Sequence, residues 1–182
     1  MNNILFLLLA LVPLLLVSAL SNNLIHAATP TTQNMTKYTD PEGRFTISYP
    51  VNWTAQPAGN RFESPLVTFD SGVGPNSNIV IITGVGTDPE AFARQVVNTA
   101  NQYTLFQNVE CAKYKIDEQR ACSFIFTKQA DPDLGTPDAV IMQVLSYING
   151  NMYTINFAAS QNTFDSLLPT FEAMISSFKA GS

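Results

Sequence analysis

Residues 139–158 read AVIMQVLSYINGNMYTINFA and carry the strongest local fold signal of the chain. The Asn149-Gly150 dipeptide separates two apolar runs, and it favours the two-residue turn of a β-hairpin. Ile141 and Met142 are adjacent apolar residues, so the first strand presents apolar side chains on both of its faces. Such a strand needs cover on both sides. The stretch therefore predicts a hairpin inside a sheet that lies between two other layers.

A second hairpin is predicted just upstream, from strands Phe106–Tyr114 and Arg120–Lys128. If the chain reverses at Ile116-Asp117, Cys111 faces Cys122 across this hairpin. In an oxidising compartment two cysteines so placed predict a disulfide. Two buried free thiols are the alternative, and a metal site is less favoured because no histidine lies nearby.

The remaining apolar patterns predict three further strand regions and two helices. The strand regions are Phe45–Tyr49, Arg61–Asp70 (broken at Ser64-Pro65) and Asn78–Thr83. Asp88 is a good N-cap for the first helix, whose apolar stripe is predicted to be Phe92, Val96, Ala100 and Tyr103. The second helix runs through Phe164–Phe178, and Pro169 should kink or restart it.

These elements predict an α+β protein. The expected architecture is an α/β/α sandwich with a central antiparallel sheet of about six strands and two main helices. One helix covers each face, or both helices lie on one face with loops opposite. Trp53, the single tryptophan, is expected to fill the core beside a strand end.

The N-terminal segment predicts export. Ile4–Leu20 is an apolar run of 17 residues, interrupted only by Pro13 and Ser18, and small residues suitable for cleavage follow it. Residues 1–28 are interpreted as a signal peptide or, alternatively, a retained N-terminal membrane anchor, although no Lys or Arg precedes the run. Residues 29–36 are then a flexible leader, and residues 37–182 form one domain.

Charge argues against nucleic-acid binding. The formal net charge is −5, and the nine basic residues are scattered along the sequence without a basic stripe.

The single histidine, His26, lies in or beside the export segment, so the mature domain lacks the usual general base of serine and cysteine hydrolases. Catalysis by paired carboxylates or a Ser-Lys pair has no recognisable motif here, and we expect no enzyme activity.

Two segments resemble a known family. Residues 38–53, YTDPEGRFTISYPVNW, are similar to the opening of PsbP-like domains, where a short strand, a turn, a Gly-x-Phe strand and a Tyr-Pro-x-x-Trp ending follow one another. Residues 175–179, ISSFK, resemble the closing helix of that family. The resemblance implies an α/β/α sandwich with a central antiparallel sheet. It also implies a binding scaffold. Plant and cyanobacterial members are extrinsic photosystem subunits that help retain calcium and chloride. Related bacterial domains are periplasmic or lipid-anchored, and one eukaryotic relative binds a small GTPase.

The sequence offers two further kinds of candidate site. Asp131, Asp133 and Asp138 place three carboxylates in one loop, a donor set that calcium accepts, although the spacing does not fit the twelve-residue calcium loop and a solvated loop is the favoured interpretation. Asn34-Met35-Thr36 and Asn52-Trp53-Thr54 are acceptor sequons for N-glycosylation in an exported chain.

The expected function follows from compartment and resemblance together. We expect an exported, non-catalytic binding or assembly module at the outer face of the cytoplasmic membrane. Its partner would be a membrane protein complex or an envelope ligand, with peripheral or anchored membrane association. The alternatives are a calcium-binding extrinsic subunit of a membrane complex and an extracytoplasmic hydrolase.

Overall fold

The computed structural model describes residues 34–57, 65–73, 78–84, 86–99, 103–129 and 138–181. All of them belong to one compact unit, Thr32–Ser182. Within these ranges the chain forms ten strands and two helices in this order: β1 Met35–Thr39, β2 Phe45–Pro50, β3 Thr54–Pro57, β4 Pro65–Asp70, β5 Asn78–Gly84, α1 Pro89–Thr99, β6 Tyr103–Ile116, β7 Gln119–Lys128, β8 Ala139–Ile148, β9 Asn151–Ala159, α2 Phe164–Ser177 and β10 Lys179–Ala180. No helix in this part of the chain is long and apolar enough to cross a bilayer.

The strands form two antiparallel sheets. The large sheet has the order β3-β4-β5-β9-β8-β7-β6, and the small sheet has the order β1-β2-β10. The predicted β8–β9 hairpin is present, with Ile148 opposite Asn151. Asn149 and Gly150 have φ values of 50° and 85°, the left-handed backbone that a two-residue turn of this kind requires.

Side chains from the large sheet enter two cores, one on each face. Along β7, Ile125 belongs to the larger core, whereas Phe124 and Phe126 belong to the smaller one. The larger core also contains Trp53, which is 6% exposed, as expected for a residue that fills the interior. Because neighbouring side chains of a strand point to opposite faces, the two cores lie on opposite sides of the sheet.

The larger core lies under α2 and the small sheet. Phe171 of α2 is fully buried, and its ring stacks 4.8 Å from that of Phe157 on β9. Just after α2, the Phe178 ring lies 5.4 Å from Phe45 on β2 and 5.2 Å from Tyr153 on β9. These three rings join the end of α2 to both sheets.

Helix α2 runs without a restart through Pro169. Restarting at this proline was one of the two outcomes that the sequence predicted. The proline lies in the first half of the helix and removes one backbone donor. The buried residues Phe164, Phe171, Met174 and Ile175 hold the helix against the sheet on both sides of it.

Helix α1 covers the opposite face in an orientation that differs from the prediction. Asp88 caps it as expected, since its Oδ1 accepts hydrogen bonds from the backbone N–H groups of Glu90 (2.9 Å) and Ala91 (3.1 Å). However, Ala93 is the fully buried residue, and Phe92 is 37% exposed. Packing the small Ala93 side chain inward lets the helix lie close to the phenylalanines of β7, and this turns Phe92 toward solvent.

The fold class is therefore the predicted α+β sandwich with a helix on each face. The central sheet has seven strands rather than about six, and the small sheet was not anticipated. Its strand β1 begins at Met35, inside the segment interpreted as a flexible leader. Met35 and Thr36 pair with Pro50 and Tyr49 of β2, because β2 offers these residues a free edge to extend along.

Truncating the buried ring of α2 should destabilise the domain far more than truncating the exposed ring of α1. We expect Phe171→Ala to lower the free energy of unfolding by about 3–5 kcal/mol, because it leaves a cavity against Phe157. The control Phe92→Ala should cost about 0.5 kcal/mol. Urea unfolding followed by circular dichroism measures both, and equal losses would contradict the orientation of α1.

Candidate functional site

The turn between β1 and β2 is built around a buried carboxylate. The Asp40 side chain is fully buried, and its Oδ2 accepts hydrogen bonds from the backbone N–H groups of Glu42 (3.2 Å) and Arg44 (3.1 Å). The Arg44 guanidinium completes the shell, with Nε 2.7 Å from Oδ2 and Nη2 2.8 Å from Oδ1. Burial by itself raises the pKa of Asp40, but the hydrogen bonds and charge of Arg44 outweigh it and hold that pKa below its ordinary value.

This turn binds the end of the chain. The Arg44 carbonyl accepts hydrogen bonds from Tyr153 Oη (2.8 Å) and from the Gly181 N–H (2.6 Å). Asn149 Nδ2 donates to the Gly181 carbonyl at 2.9 Å. A Cβ atom at position 181 would overlap the Gly43 carbonyl oxygen, so only glycine fits there. Gly181, directly after β10, is thus held between the β1–β2 turn of the small sheet and the β8–β9 turn of the large sheet.

The hairpin between β6 and β7 also holds this strand. Asp117 lies in its two-residue turn, and its Oδ2 accepts the Ala180 N–H at 3.2 Å while its Oδ1 pairs with Lys179 Nζ at 3.1 Å. Asp117 and Glu118 both have positive φ, at 49° and 63°. These two turn residues also form one wall of a cavity.

That cavity, which we name the α2–β6 groove, has a volume of about 320 Å³ and lies between the tip of the β6–β7 hairpin and the C-terminal end of α2. Its lining combines charged, hydroxyl and apolar side chains: Lys113, Tyr114, Lys115, Asp117, Glu118, Ile175, Ser176 and Lys179. Three of the nine basic residues of the chain therefore meet at one place, where Lys179 joins Lys113 and Lys115 from a distant part of the sequence. No sequence pattern predicts that these lysines lie close together, because Lys179 reaches the groove only through the packing of α2.

Lys113 and Tyr114 of the groove are protonated at neutral pH. Lys113 Nζ lies 5.0 Å from the Tyr114 ring centroid, and Tyr114 Oη donates to Glu172 Oε1 at 2.8 Å. The hydrogen bond with Tyr114 raises the pKa of Lys113, and burial raises the pKa of Tyr114. Both groups therefore keep their protons. Tyr114 donates its proton to Glu172, so the ammonium of Lys113 is the group of this pair that can bind a carbonyl or carboxylate oxygen.

The groove lies along the edge strand of the large sheet. Strand β6 pairs with β7 alone, and its pairing shifts register in three places. At one of them the extra residues Ala112 and Lys113 separate the Cys111 pair from the Tyr114 pair, and Ala112 has φ of 130°. Such bulges bend an edge strand and re-aim its side chains. Here the bulge brings Tyr114 against the larger core and its helix.

The predicted disulfide is confirmed. Cys111 and Cys122 are bonded and lie directly opposite each other on β6 and β7. The chain reverses at Asp117-Glu118 rather than at Ile116-Asp117, and the bulge after Cys111 restores the pairing of the two cysteines. A Glu90 carboxylate oxygen lies within 4.8 Å of both sulfurs. Since the sulfurs are bonded to each other, they are not thiolates that could bind a metal ion.

A second cavity, of about 290 Å³, lies beside this disulfide at the start of α1. Its charged residues already have partners. Glu90 pairs with Arg94 at 2.9 Å and with Arg120 at 3.2 Å, and Asp88 is the cap of α1. Because its charged groups pair with each other or cap α1, this cavity is a weaker candidate than the α2–β6 groove, which gathers three lysines.

Of the other predicted site residues, the described ones, Asn34, Asn52 and Asp138, do not line the groove. Asp131 and Asp133 lie outside the described residues, and Asp138 is exposed just before β8. The calcium site therefore stays a prediction. Asn34 and Asn52 are both exposed, Asn34 just before β1 and Asn52 in the turn after β2.

The buried Asp40 should make stability depend on pH. Its pKa in the folded protein is lower than the unfolded value of about 3.9, so its contribution is present above about pH 4 and is lost as the pH falls further. We expect Asp40→Asn to cost roughly 2–3 kcal/mol at pH 7, since it leaves Arg44 without its buried partner.

Urea unfolding at several pH values checks this. The gap between wild type and Asp40→Asn should shrink as the pH falls toward 3. The matched control Glu42→Gln removes the exposed carboxylate that also pairs with Arg44 and should cost only about 0.5 kcal/mol. A gap that does not change with pH would contradict the assignment.

Known structures share this fold. The solution structure of the cyanobacterial PsbP protein CyanoP from Synechocystis sp. PCC 6803 is 16% identical with a TM-score of 0.57, and the match covers 80% of this chain and 92% of that one. The crystal structure of LpqN of Mycobacterium tuberculosis, described as involved in cell envelope biogenesis, is 11% identical with a TM-score of 0.54 and 82% and 91% coverage. A Bacteroides thetaiotaomicron protein matches with 17% identity and a TM-score of 0.53, over 80% of this chain and 48% of its own.

A search of curated proteins finds no match. The model of one protein family, PsbP, matches residues 33–180, which span both sheets and both helices. The chain therefore belongs to the PsbP family.

Proposed function

We propose that this chain is an exported, non-catalytic PsbP-family module that binds a membrane protein complex or envelope ligand at the outer face of the cytoplasmic membrane. The observation that carries the proposal is the α2–β6 groove on a PsbP-family scaffold. The groove presents three lysines, among them the protonated Lys113, beside an edge strand. A segment of a partner protein that offers carbonyl or carboxylate oxygens fits this chemistry.

The disulfide supports the extracytoplasmic part of the proposal. Disulfides persist in oxidising compartments and are rare in most cytosols. The bond between Cys111 and Cys122 ties the edge strand β6 to β7 at the position where β6 bulges. Closing a loop of about a dozen residues contributes on the order of 3 kcal/mol in the chain-entropy account. The apolar run Ile4–Leu20 supplies an export signal or anchor in keeping with this compartment.

The family supports the binding part. CyanoP, one of the matched structures, is a PsbP protein of a cyanobacterium, and LpqN is described as involved in cell envelope biogenesis. We infer a comparable envelope role for this chain. The mixed charges of the groove favour a protein partner over a simple anion, because Asp117 and Glu118 offset the lysines.

The compartment can be tested directly in native cells. We expect added trypsin to cleave the protein on intact spheroplasts, and we expect peptides spanning Cys111 and Cys122 to be recovered linked after alkylation without reductant. A cytoplasmic control protein must stay uncleaved in the same sample. Recovery of an intracellular chain with both thiols alkylated would count against export.

The groove can be tested by site-specific photocrosslinking in native membranes. A photoreactive p-benzoylphenylalanine in place of the exposed Glu118 should give a discrete crosslinked product with one membrane-associated protein, which mass spectrometry identifies. The same group in place of exposed Lys37, a residue of β1 that does not line the groove, is the matched control. Adding Lys115→Glu to the Glu118 probe should reduce the yield several-fold by reversing one donor charge. Equal crosslinking from both positions would refute the groove as the binding surface.

A further inference from the structure

We propose that Asn34 and Asn52 are both N-glycosylated and that their two glycans form one patch around Val51. The chain contains two Asn-x-Ser/Thr sequons, Asn34-Met35-Thr36 and Asn52-Trp53-Thr54. The fold places both of them at the same end of the β1–β2 pair. The proposal rests on export, which the proposed function also requires.

The pairing of β1 with β2 brings the acceptors together. Met35 lies opposite Pro50, and the Val51 N–H donates to the Asn34 carbonyl oxygen at 2.9 Å. Asn34 is therefore the neighbour of Val51 across the strands, and Asn52 is its neighbour along the chain. Nothing in the spacing of the two sequons shows that they meet.

Both acceptors are accessible in the folded domain. Asn34 and Asn52 are exposed, and so is Thr54, the hydroxyl residue of the second sequon. Between them Trp53 is only 6% exposed and belongs to the larger core. The buried tryptophan thus anchors the second sequon while its acceptor and hydroxyl residues face solvent. In the first sequon Met35 packs against the same core.

The surface around the acceptors is one that a glycan would protect. Val51 is 57% exposed, more than Val73 at 49% or Phe92 at 37%, the other exposed large apolar residues of the described part. Strand β1 is an edge strand of the small sheet. Exposed apolar residues and open edges favour association with other chains, and a glycan is bulky and solubilising.

The modification is a group transfer whose co-substrate is a polyprenyl-phosphate-linked oligosaccharide on the outer side of the membrane. A bond forms between the asparagine Nδ2 and the anomeric carbon of the first sugar. The bond from that carbon to the lipid phosphate oxygen breaks, and the lipid phosphate leaves with the electron pair. The amide proton passes to a base of the transferase.

The test is peptide mass mapping of the protein purified from the extracytoplasmic fraction of its native host. We expect added sugar mass on the peptide containing Asn34 and on the peptide containing Asn52. Thr36→Ala should abolish the first modification and Thr54→Ala the second. The matched controls Thr36→Ser and Thr54→Ser keep the sequons and should keep the sugars, which separates loss of the motif from a change in folding.

Any result other than sugar on both Asn34 and Asn52 overturns the proposal. Unmodified peptides at both positions refute it, and sugar at a single position refutes the shared patch. The same digest reports whether Cys111 and Cys122 are linked. A linked, exported protein without sugars defeats this inference alone, whereas a reduced, intracellular protein defeats the proposed function with it.

Discussion

The central strands β7, β8 and β9 carry large apolar side chains on both faces, so neither face of the large sheet can be left to water. Ile125 and Phe157 enter the core under α2, and Phe124 enters the one under α1. Burial of apolar area is the main favourable contribution to folding, and a sheet of this kind is stable only between two covering layers. The remaining elements supply these two layers: α1 covers one face of the large sheet, and α2 with the small sheet covers the other.

The layer under α2 is closed by polar contacts at the chain's end. Ring contacts of Phe178 join α2 to both sheets, and the Arg44 carbonyl accepts hydrogen bonds from Tyr153 and Gly181. The conformation of Arg44 depends in turn on the buried Asp40 carboxylate. The turn and the C-terminal strand therefore support each other through the Arg44 carbonyl. The closing strand thus completes the small sheet and also carries Lys179 to the groove.

The α2–β6 groove and the disulfide both lie on β6, an edge strand of the large sheet. An open edge strand invites pairing with other chains, and bulges and lysines reduce that hazard. In β6 the bulge at Ala112-Lys113 also allows Cys111 to meet Cys122 and directs Tyr114 toward α2. The residues that protect the edge therefore line the α2–β6 groove. Lys113 and Tyr114 both hold their protons at neutral pH, and Tyr114 donates its proton to Glu172.

The sequence alone determined the elements whose causes are local. Alternating and continuous apolar runs predicted β2 and the strands β4 to β9, but not β1, β3 or β10. Asn149-Gly150 predicted the β8–β9 turn, Asp88 predicted the start of α1, and the spacing of the cysteines predicted their bond. Tertiary structure decided what depends on distant segments: the burial of Asp40, the pairing of β10 with β2, the inward turn of Ala93 and the meeting of Lys179 with Lys113. The physical reason is the distance along the chain over which each kind of interaction acts. Turns, caps and periodicity act over a few residues, whereas the two cores and the groove form only when segments far apart in the chain exclude water together.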